Sequence, residues 1–143
     1  MLDAPMYRTT KYERSWIEIV RDVQAGKLVI PACPSGSWYN DHASGLLESL
    51  ILRGHVNPII TQGSTVLDGR WRLGCITSFY ADQFPLCNFG YFPELNGLRY
   101  SQLSAPLRRR IEDSRFQFVE LYSTMTPEMV ERYIEQANYT RRG

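Results

Sequence analysis

The sequence predicts a single α+β domain in which a small mixed sheet is flanked by helices. Capped amphipathic segments alternate with short apolar runs along the chain, a pattern typical of helices packed against a sheet. The 143 residues are enough to bury one hydrophobic core, and 43% of them are apolar. Because no internal repeat or linker interrupts the chain, we expect one domain over residues 1–143, with its core at about 15–138.

The first predicted helix begins with a capping box, in which Ser15 and Glu18 each accept a hydrogen bond from the other's amide. Apolar residues recur at helical spacing until Gly26 ends this helix, and a short strand at 28–30 is closed by Pro31. The next predicted elements are a helix from Asn40 or Asp41 to Gly54, strands at 58–61 and 65–67, and a helix at 69–80. They are followed by a hairpin turn at Asn96-Gly97 between Phe92 and Tyr100, a helix at 104–111 and a strand at 115–122. The last is a helix from Thr126 with a buried stripe of Val130, Tyr133, Ile134 and Ala137, ending in a frayed tail at 141–143.

Composition and charge argue against several classes of function. Sixteen basic and fifteen acidic side chains leave a formal charge of +1, which disfavours a polybasic nucleic-acid coat. No apolar run approaches the roughly 20 residues that a membrane span needs, and residues 1–12 are too polar for a secretory signal. We therefore expect a cytoplasmic protein that does not engage a membrane.

Cysteine and histidine are too few and too scattered to predict a metal site or a disulfide framework. The three cysteines are Cys33, Cys75 and Cys87, and the histidines are His42 and His55. Their spacing matches no zinc or nuclease pattern. We expect structural or incidental roles for all five residues and no bound metal.

The candidate site lies where a strand is predicted to lead directly into a helix. Asp68 is placed to cap the helix, and Gly69 lets another backbone or a ligand come close. Arg72 should point back toward the helix start, where Arg70 adds a second guanidinium. The amides and dipole of a helix N-terminus, together with two arginines, would suit a phosphate group. The alternative is that Arg72 is simply the i,i+4 ion-pair partner of Asp68.

The segment at 66–73 (VLDGRWRL) resembles the hLDGQQRL motif of the ParB/sulfiredoxin-like domain found in GmrSD-type (type IV) restriction systems. Other segments resemble that family in the same order along the chain. They are Ile30-Pro31, 45–54, 57–60, 95–103 and 108–121, so that the resemblance spans about 15–138. The resemblance implies a nucleotide-handling fold, with a nucleoside triphosphate as the candidate cofactor and nucleotide or DNA as a candidate partner. Asp68, Gly69 and Arg72 match the motif linked to nucleotide binding and turnover in the family.

The chain departs from the family at polar positions of this motif. Arg70 and Trp71 replace both glutamines, and the upstream FQR becomes the residues at 33–35 (CPS). Arginine only donates hydrogen bonds and tryptophan has one weak donor, so neither can replace a glutamine that orients water. Glu48, on the neighbouring predicted helix, is expected to brace the structure rather than act as a base. The expected pocket walls are Trp71, Ser35, Trp38 and Glu48.

These departures predict a degenerate, stand-alone nucleotide-binding fold that acts as a regulatory or interaction module. We expect a protein partner, no catalytic residue and the loss of NTPase and nuclease activity. Such a module would suit a phage or mobile element and would be related to restriction or anti-restriction. The alternative is an active nucleotide-binding or NTP-hydrolysing DNA-associated domain of a restriction-type system.

Two other features have competing interpretations. The arginines at 108–110, with Arg115, are expected to form a solvated face rather than a nucleic-acid contact. The aromatic pairs Trp38-Tyr39 and Tyr91-Phe92 are expected to fill the core or an interface rather than stack on a base.

Overall fold

The fold is a four-stranded mixed sheet with helices on both faces, which confirms the predicted α+β class. A computed structural model describes residues 6–31, 44–52 and 56–142. The helices are α1 (Trp16–Gln24), α2 (Ser44–Ile51), α3 (Arg70–Tyr80), α4 (Ala105–Glu112) and α5 (Pro127–Arg142). The strands are β1 (Thr9–Ser15), β2 (Ile59–Gln62), β3 (Thr65–Asp68) and β4 (Arg115–Leu121), and short 3-10 turns lie at Pro93–Leu95 and Tyr100–Gln102.

The sheet has the strand order β1-β4-β2-β3. β4 is the central element of this arrangement, because it pairs antiparallel with β1 and parallel with β2. β2 and β3, which correspond to the strands predicted at 58–61 and 65–67, pair antiparallel, and the turn between them contains Gly63 at a φ of +60°. The parallel pairing of β2 with β4 needs a long crossover, which here contains α3 and α4.

The predicted strand at 28–30 is wrong, because the segment forms only one isolated parallel β-bridge, between Val29 and Thr65. Val29 donates from its amide to the Ser64 carbonyl at 2.7 Å and accepts from the Val66 amide at 2.9 Å. Pro31 carries no amide hydrogen, so the pairing has no donor with which to continue. The segment therefore covers part of the β3 edge without becoming a strand.

β1 is a strand that the sequence analysis did not predict. Most of its side chains are exposed, and its residues (TTKYERS) show no apolar alternation. Its pairing with β4 joins residues that are about a hundred positions apart in sequence, for example Tyr12 with Phe118. β1 is thus fixed by its long-range partner rather than by a local pattern.

The larger part of the core lies on the sheet face that α1 and α3 cover. The fully buried side chains of this face include Trp16, Ile19, Leu73, Ile76, Phe79, Phe116 and Phe118. Each such side chain contributes on the order of 1.5–3 kcal/mol when it leaves water. The predicted capping box holds the start of α1, because Ser15 Oγ accepts from the Glu18 amide at 3.3 Å and Glu18 Oε1 accepts from the Ser15 amide at 2.8 Å.

The opposite sheet face is covered by α5. Ile60, Val119, Leu121 and Met125 form a second buried cluster, and the predicted stripe of Val130, Tyr133, Ile134 and Ala137 packs against it. Thr126 Oγ1 accepts from the Met129 amide at 3.3 Å, as expected for the cap. The expectation of a frayed tail is wrong for residues 141 and 142, since α5 continues to Arg142. Gly143 lies outside the described residues.

Two further predictions differ in their boundaries. The helix predicted from Asn40 or Asp41 to Gly54 is observed as α2, and those three residues lie outside the described part of the chain. A turn forms at Asn96-Gly97 as predicted, with the Leu98 amide donating to the Leu95 carbonyl at 3.1 Å, but no strands flank it, so the predicted hairpin is wrong. Asn96 has a negative φ of −60°, which a type I′ hairpin turn does not allow, and its Oδ1 accepts from the Phe89 amide at 2.8 Å. The Asn96 side chain therefore holds the preceding loop in place through Phe89, and Asn96 does not connect two strands.

Candidate functional site

The β3–α3 junction, defined here as residues 68–72 with Asn57 and Pro58, brings the predicted site residues together. Asp68 is not the N-cap of α3, as the sequence analysis expected. It is the last residue of β3, where it still pairs with Ile60, and Gly69 takes the N-cap position with a φ of +101°. Since glycine has no side chain, no side-chain hydrogen bond caps this helix.

Gly69 is required by packing inside the protein. A Cβ built on Gly69 would lie 2.5 Å from Cδ1 of Ile59, the first residue of β2. The close approach that the sequence predicted for a backbone or a ligand is therefore made by a core side chain. Both the positive φ and this contact exclude any larger residue without a shift of the structure.

Arg72 turns back toward the start of α3, as the direction of helical side chains predicts. Its guanidinium donates to the Asn57 carbonyl and, at 3.3 Å, to the Pro58 carbonyl. Its Nη2 atom also lies 3.9 Å from Oδ2 of Asp68, so the i,i+4 ion pair given as the alternative interpretation is present. The two side chains are only 13% and 20% exposed. The guanidinium is thus held between the chain before β2 and the end of β3.

Arg70 and Trp71, which stand where the motif that this segment resembles has two glutamines, have different surroundings. Arg70 is exposed on the first turn of α3. Trp71 is half-buried and packs against the main core. Neither side chain has an oxygen that could accept a hydrogen bond from a water molecule.

The expected pocket walls are only partly accounted for. Oε2 of Glu48 accepts from the Tyr91 amide at 3.0 Å, so this carboxylate braces α2 against the 84–100 segment, as expected. Ser35 and Trp38 lie outside the described residues, as do Cys33 and Pro34. Trp71 is therefore the one predicted wall residue that the described structure places at the junction.

The basic cluster is divided among separate contacts. Arg110 Nε donates to the Ile51 carbonyl at 2.9 Å, and the Arg108 guanidinium lies 6.0 Å from the centre of the Tyr100 ring. Arg109 is exposed. These three side chains fan around α4 as a partly solvated surface, which agrees with the sequence interpretation.

The aromatic pair at 91–92 is also divided. Tyr91 is 75% exposed, whereas Phe92 packs against the core. Trp38 and Tyr39 lie outside the described residues. Tyr91 is therefore the single member of the two pairs that the described structure leaves open to solvent.

A polar cluster that the sequence analysis missed lies between α1 and the sheet. Arg14 Nη1 donates to Glu18 Oε2 at 3.3 Å and its Nη2 pairs with Asp22, which raises the pKa of the arginine. Burial raises the pKa of the neighbouring Tyr12 phenol, and the Glu120 carboxylate raises it further. The cluster was missed because Tyr12 and Arg14 belong to β1, the unpredicted strand. The residues of β1 carry no apolar alternation that could have revealed the cluster.

Two structural features would indicate metal binding or membrane insertion: a cluster of metal-ligating side chains and a long apolar helix. Among the residues that the structure describes, no group of three or more His, Cys, Asp and Glu side chains is arranged to hold a metal ion. Within the same ranges, no helix has the length and the apolar character that crossing a bilayer demands.

The chain was compared with protein-family models, with curated proteins and with solved structures, and none of the three comparisons gave a match. The resemblance to the ParB/sulfiredoxin-like domain therefore depends on the sequence motifs alone.

Proposed function

We propose that this chain is a non-catalytic interaction module whose inherited nucleotide site is occupied by its own side chains, and that it works by binding a protein partner. The observation that supports this proposal is the arrangement of the β3–α3 junction. There Arg72 donates to two backbone carbonyls and Ile59 packs against Gly69. The motif resemblance supports a role for such a module in restriction or anti-restriction, and the proposal extends to a phage or mobile element as its source and the cytoplasm as its setting.

The state of Arg72 argues against phosphate binding. A guanidinium that turned toward a phosphate would have to leave the carbonyls of Asn57 and Pro58, which are half-buried. Each of these hydrogen bonds contributes about 0.5–1.5 kcal/mol, and an unsatisfied buried carbonyl costs more. The Asp68 carboxylate beside it would also repel an anion.

The residues around Arg72 argue against turnover. Hydrolysis needs a group that orients or deprotonates the attacking water. Arg70 has only donors, Trp71 packs on the core, and Glu48 is engaged by the Tyr91 amide. In the described ranges, the junction thus supplies cationic and apolar groups and no base other than Asp68, which faces Arg72.

Nucleotide binding is tested by thermal shift and by amide NMR with ATP, GTP, CTP and UTP in the presence of Mg²⁺. We expect no shift, whereas a nucleotide present at a hundred times its Kd would add about 2.7 kcal/mol of stability. A shift that is lost in Arg72→Ala and kept in Arg132→Ala, an exposed arginine of α5, would instead support the alternative of an active nucleotide-binding domain.

Partner binding is tested on the exposed side of the same junction. The tagged chain, carrying a photo-crosslinking residue at position 70, is used to capture a partner, and the complex is rebuilt from two purified proteins. We expect Arg70→Asp to weaken this complex by about tenfold or more, and Arg109→Asp on α4 to leave it unchanged. A rebuilt complex that is insensitive to Arg70→Asp would contradict a partner site at the junction.

A further inference from the structure

A second site lies on the sheet face opposite α5, away from the motif that the sequence analysis emphasised. A cavity of about 380 Å³ opens between α1, the β2–β3 turn and the face formed by β1 and β4. Its apolar wall includes Ile19, Leu28 and Phe118, and its charged wall includes Glu120 and Lys27. Small-ligand pockets span roughly 300–1,000 Å³, so this cavity suits a ligand at the small end of that range.

Glu120 is the unusual group of this cavity. It lies on the same face of β4 as Phe118, because the side chains of a strand alternate, and it is half-buried between Thr10 on β1 and Thr61 on β2. Within the described part of the chain, no hydrogen bond or ion pair reaches its carboxylate. This carboxylate lines the open cavity, where it is accessible to a positively charged group of a ligand.

Arg14, which also lines the cavity, is already engaged in ion pairs. It pairs with Glu18 and Asp22, and these two carboxylates more than balance its positive charge on the α1 side of the cavity. Lys27 is exposed at the rim and makes no ion pair among the described residues. Among the described charged residues that line the cavity, Glu120 and Lys27 are therefore the two without an ion-pair partner.

Tyr12 supplies a neutral polar group between these charges. Its ring stacks on Phe118 with centroids 5.3 Å apart and an interplanar angle of 15°. Since its pKa is raised by burial and by Glu120, the phenol remains protonated at neutral pH. It can therefore donate or accept a hydrogen bond without changing the charge balance of the cavity.

We propose that this cavity binds a free amino acid or a zwitterion of that size, with the ligand ammonium on Glu120 and the ligand carboxylate on Lys27. Two opposite, unpaired charges on one small opening match a ligand that carries both charges. A simple amine would leave Lys27 unmatched, and a simple carboxylate would leave Glu120 unmatched. The proposal is independent of the proposed function, because it uses none of the residues of the β3–α3 junction.

The test is an amide NMR titration of the full chain with the common free amino acids at millimolar concentration. We expect at least one of them to shift the signals of Tyr12, Gly63, Ser64 and Glu120 in a saturable way. n-Butylamine and butyrate, which carry one charge each, are expected to bind at least about tenfold more weakly than that amino acid.

Variants then separate the cavity from general effects of charge. Glu120→Gln and Lys27→Gln are each expected to weaken the amino acid by about tenfold or more. The matched controls are Glu13→Gln and Lys11→Gln, which carry the same changes on the opposite face of β1 and should bind normally. Far-ultraviolet circular dichroism and the melting temperature verify that each variant is folded. If Glu120→Gln does not fold, Glu120→Thr serves as the second uncharged variant, since threonine suits a strand.

Three outcomes would overturn the proposal. The first is that no amino acid perturbs the cavity signals. The second is that binding is unaffected by Glu120→Gln, or by Glu120→Thr where that replaces it. The third is that n-butylamine binds as tightly as the best amino acid, which would reduce the site to a surface carboxylate.

Discussion

The guanidinium of Arg72 lies 3.9 Å from the carboxylate of Asp68, although Asp68 ends β3 and does not cap the helix that carries Arg72. The arginine therefore joins three pieces of chain: the end of β3, the first turn of α3 and the carbonyls that precede β2. A pair that the sequence suggested as part of a ligand site is in this structure a link between strand and helix. This difference determines which substitutions should damage the fold and which should not.

Arg72→Ala is expected to destabilise the protein by about 1–3 kcal/mol, because it leaves the Asn57 and Pro58 carbonyls without their donor. Arg70→Ala, which removes an exposed arginine two residues earlier, should change the free energy of unfolding by no more than about 0.5 kcal/mol. The measurement is the urea midpoint of both variants. Equal midpoints would mean that the carbonyl contacts of Arg72 carry no stability.

Gly69→Ala is expected to cost roughly 2 kcal/mol or more, since the new Cβ would meet Ile59 at 2.5 Å and the backbone φ is +101°. Gly45→Ala in α2 is the control, because a Cβ there meets nothing within 4 Å and alanine favours the helix. Adding Ile59→Val to Gly69→Ala should recover part of the loss if the contact matters. No recovery would assign the whole cost to the backbone conformation.

The sequence predicted correctly the elements that are determined by residues close together in the chain. The capping box of Ser15 and Glu18 predicted the start of α1, and the strand predicted at 115–122 is observed as β4, because both predictions use signals that lie within a few residues of the chain. β1 escaped prediction because it is a polar edge strand whose partner lies far along the chain. The Asp68 cap was predicted wrongly because the sequence does not reveal how far β3 continues or that Gly69 adopts a positive φ.

The sequence predicted the direction of one side chain of the candidate site but not the contacts that this side chain makes. The direction of Arg72 follows from helix geometry, and the structure agrees with it. Its partners could not be predicted, because Asn57 and Pro58 reach the junction only through the pairing of β2 in the sheet. The cavity around Glu120 could not be predicted at all, since it needs β1, α1 and the β2–β3 turn together.

Glu18 is expected to make stability depend on pH. The hydrogen bond from the Ser15 amide holds the pKa of Glu18 below its ordinary value of 4.5, so the ionised carboxylate stabilises the folded state. This contribution is present above pH 4.5 and is lost as the pH falls through the lower pKa of the folded state. The urea midpoint of wild type should therefore exceed that of Glu18→Gln most at neutral pH, and the gap should close in acid.

The control for Glu18 is Glu13→Gln, which removes an exposed glutamate of β1 that has no part in the capping box. Its difference from wild type should not follow the same pH profile. A constant gap for Glu18→Gln across the acid range would show that the glutamate caps α1 equally well when protonated.

Tyr12 is expected to ionise above its ordinary pKa of 10.0, because burial raises the pKa and the Glu120 carboxylate adds to the effect. A raised pKa in the folded state means that the stabilising contribution is complete below pH 10.0 and is lost as the pH rises through the folded value. The ionisation is followed by near-ultraviolet absorbance, with Tyr12→Phe identifying the phenol concerned. Tyr133 also has a raised pKa, from burial alone, so Tyr133→Phe serves as the comparison.

Glu120→Gln should lower the pKa of Tyr12 and leave that of Tyr133 unchanged, because only Tyr12 shares the cavity with this carboxylate. If the pKa of Tyr12 does not fall in Glu120→Gln, the carboxylate does not act on this phenol, and the shift of Tyr12 is due to burial.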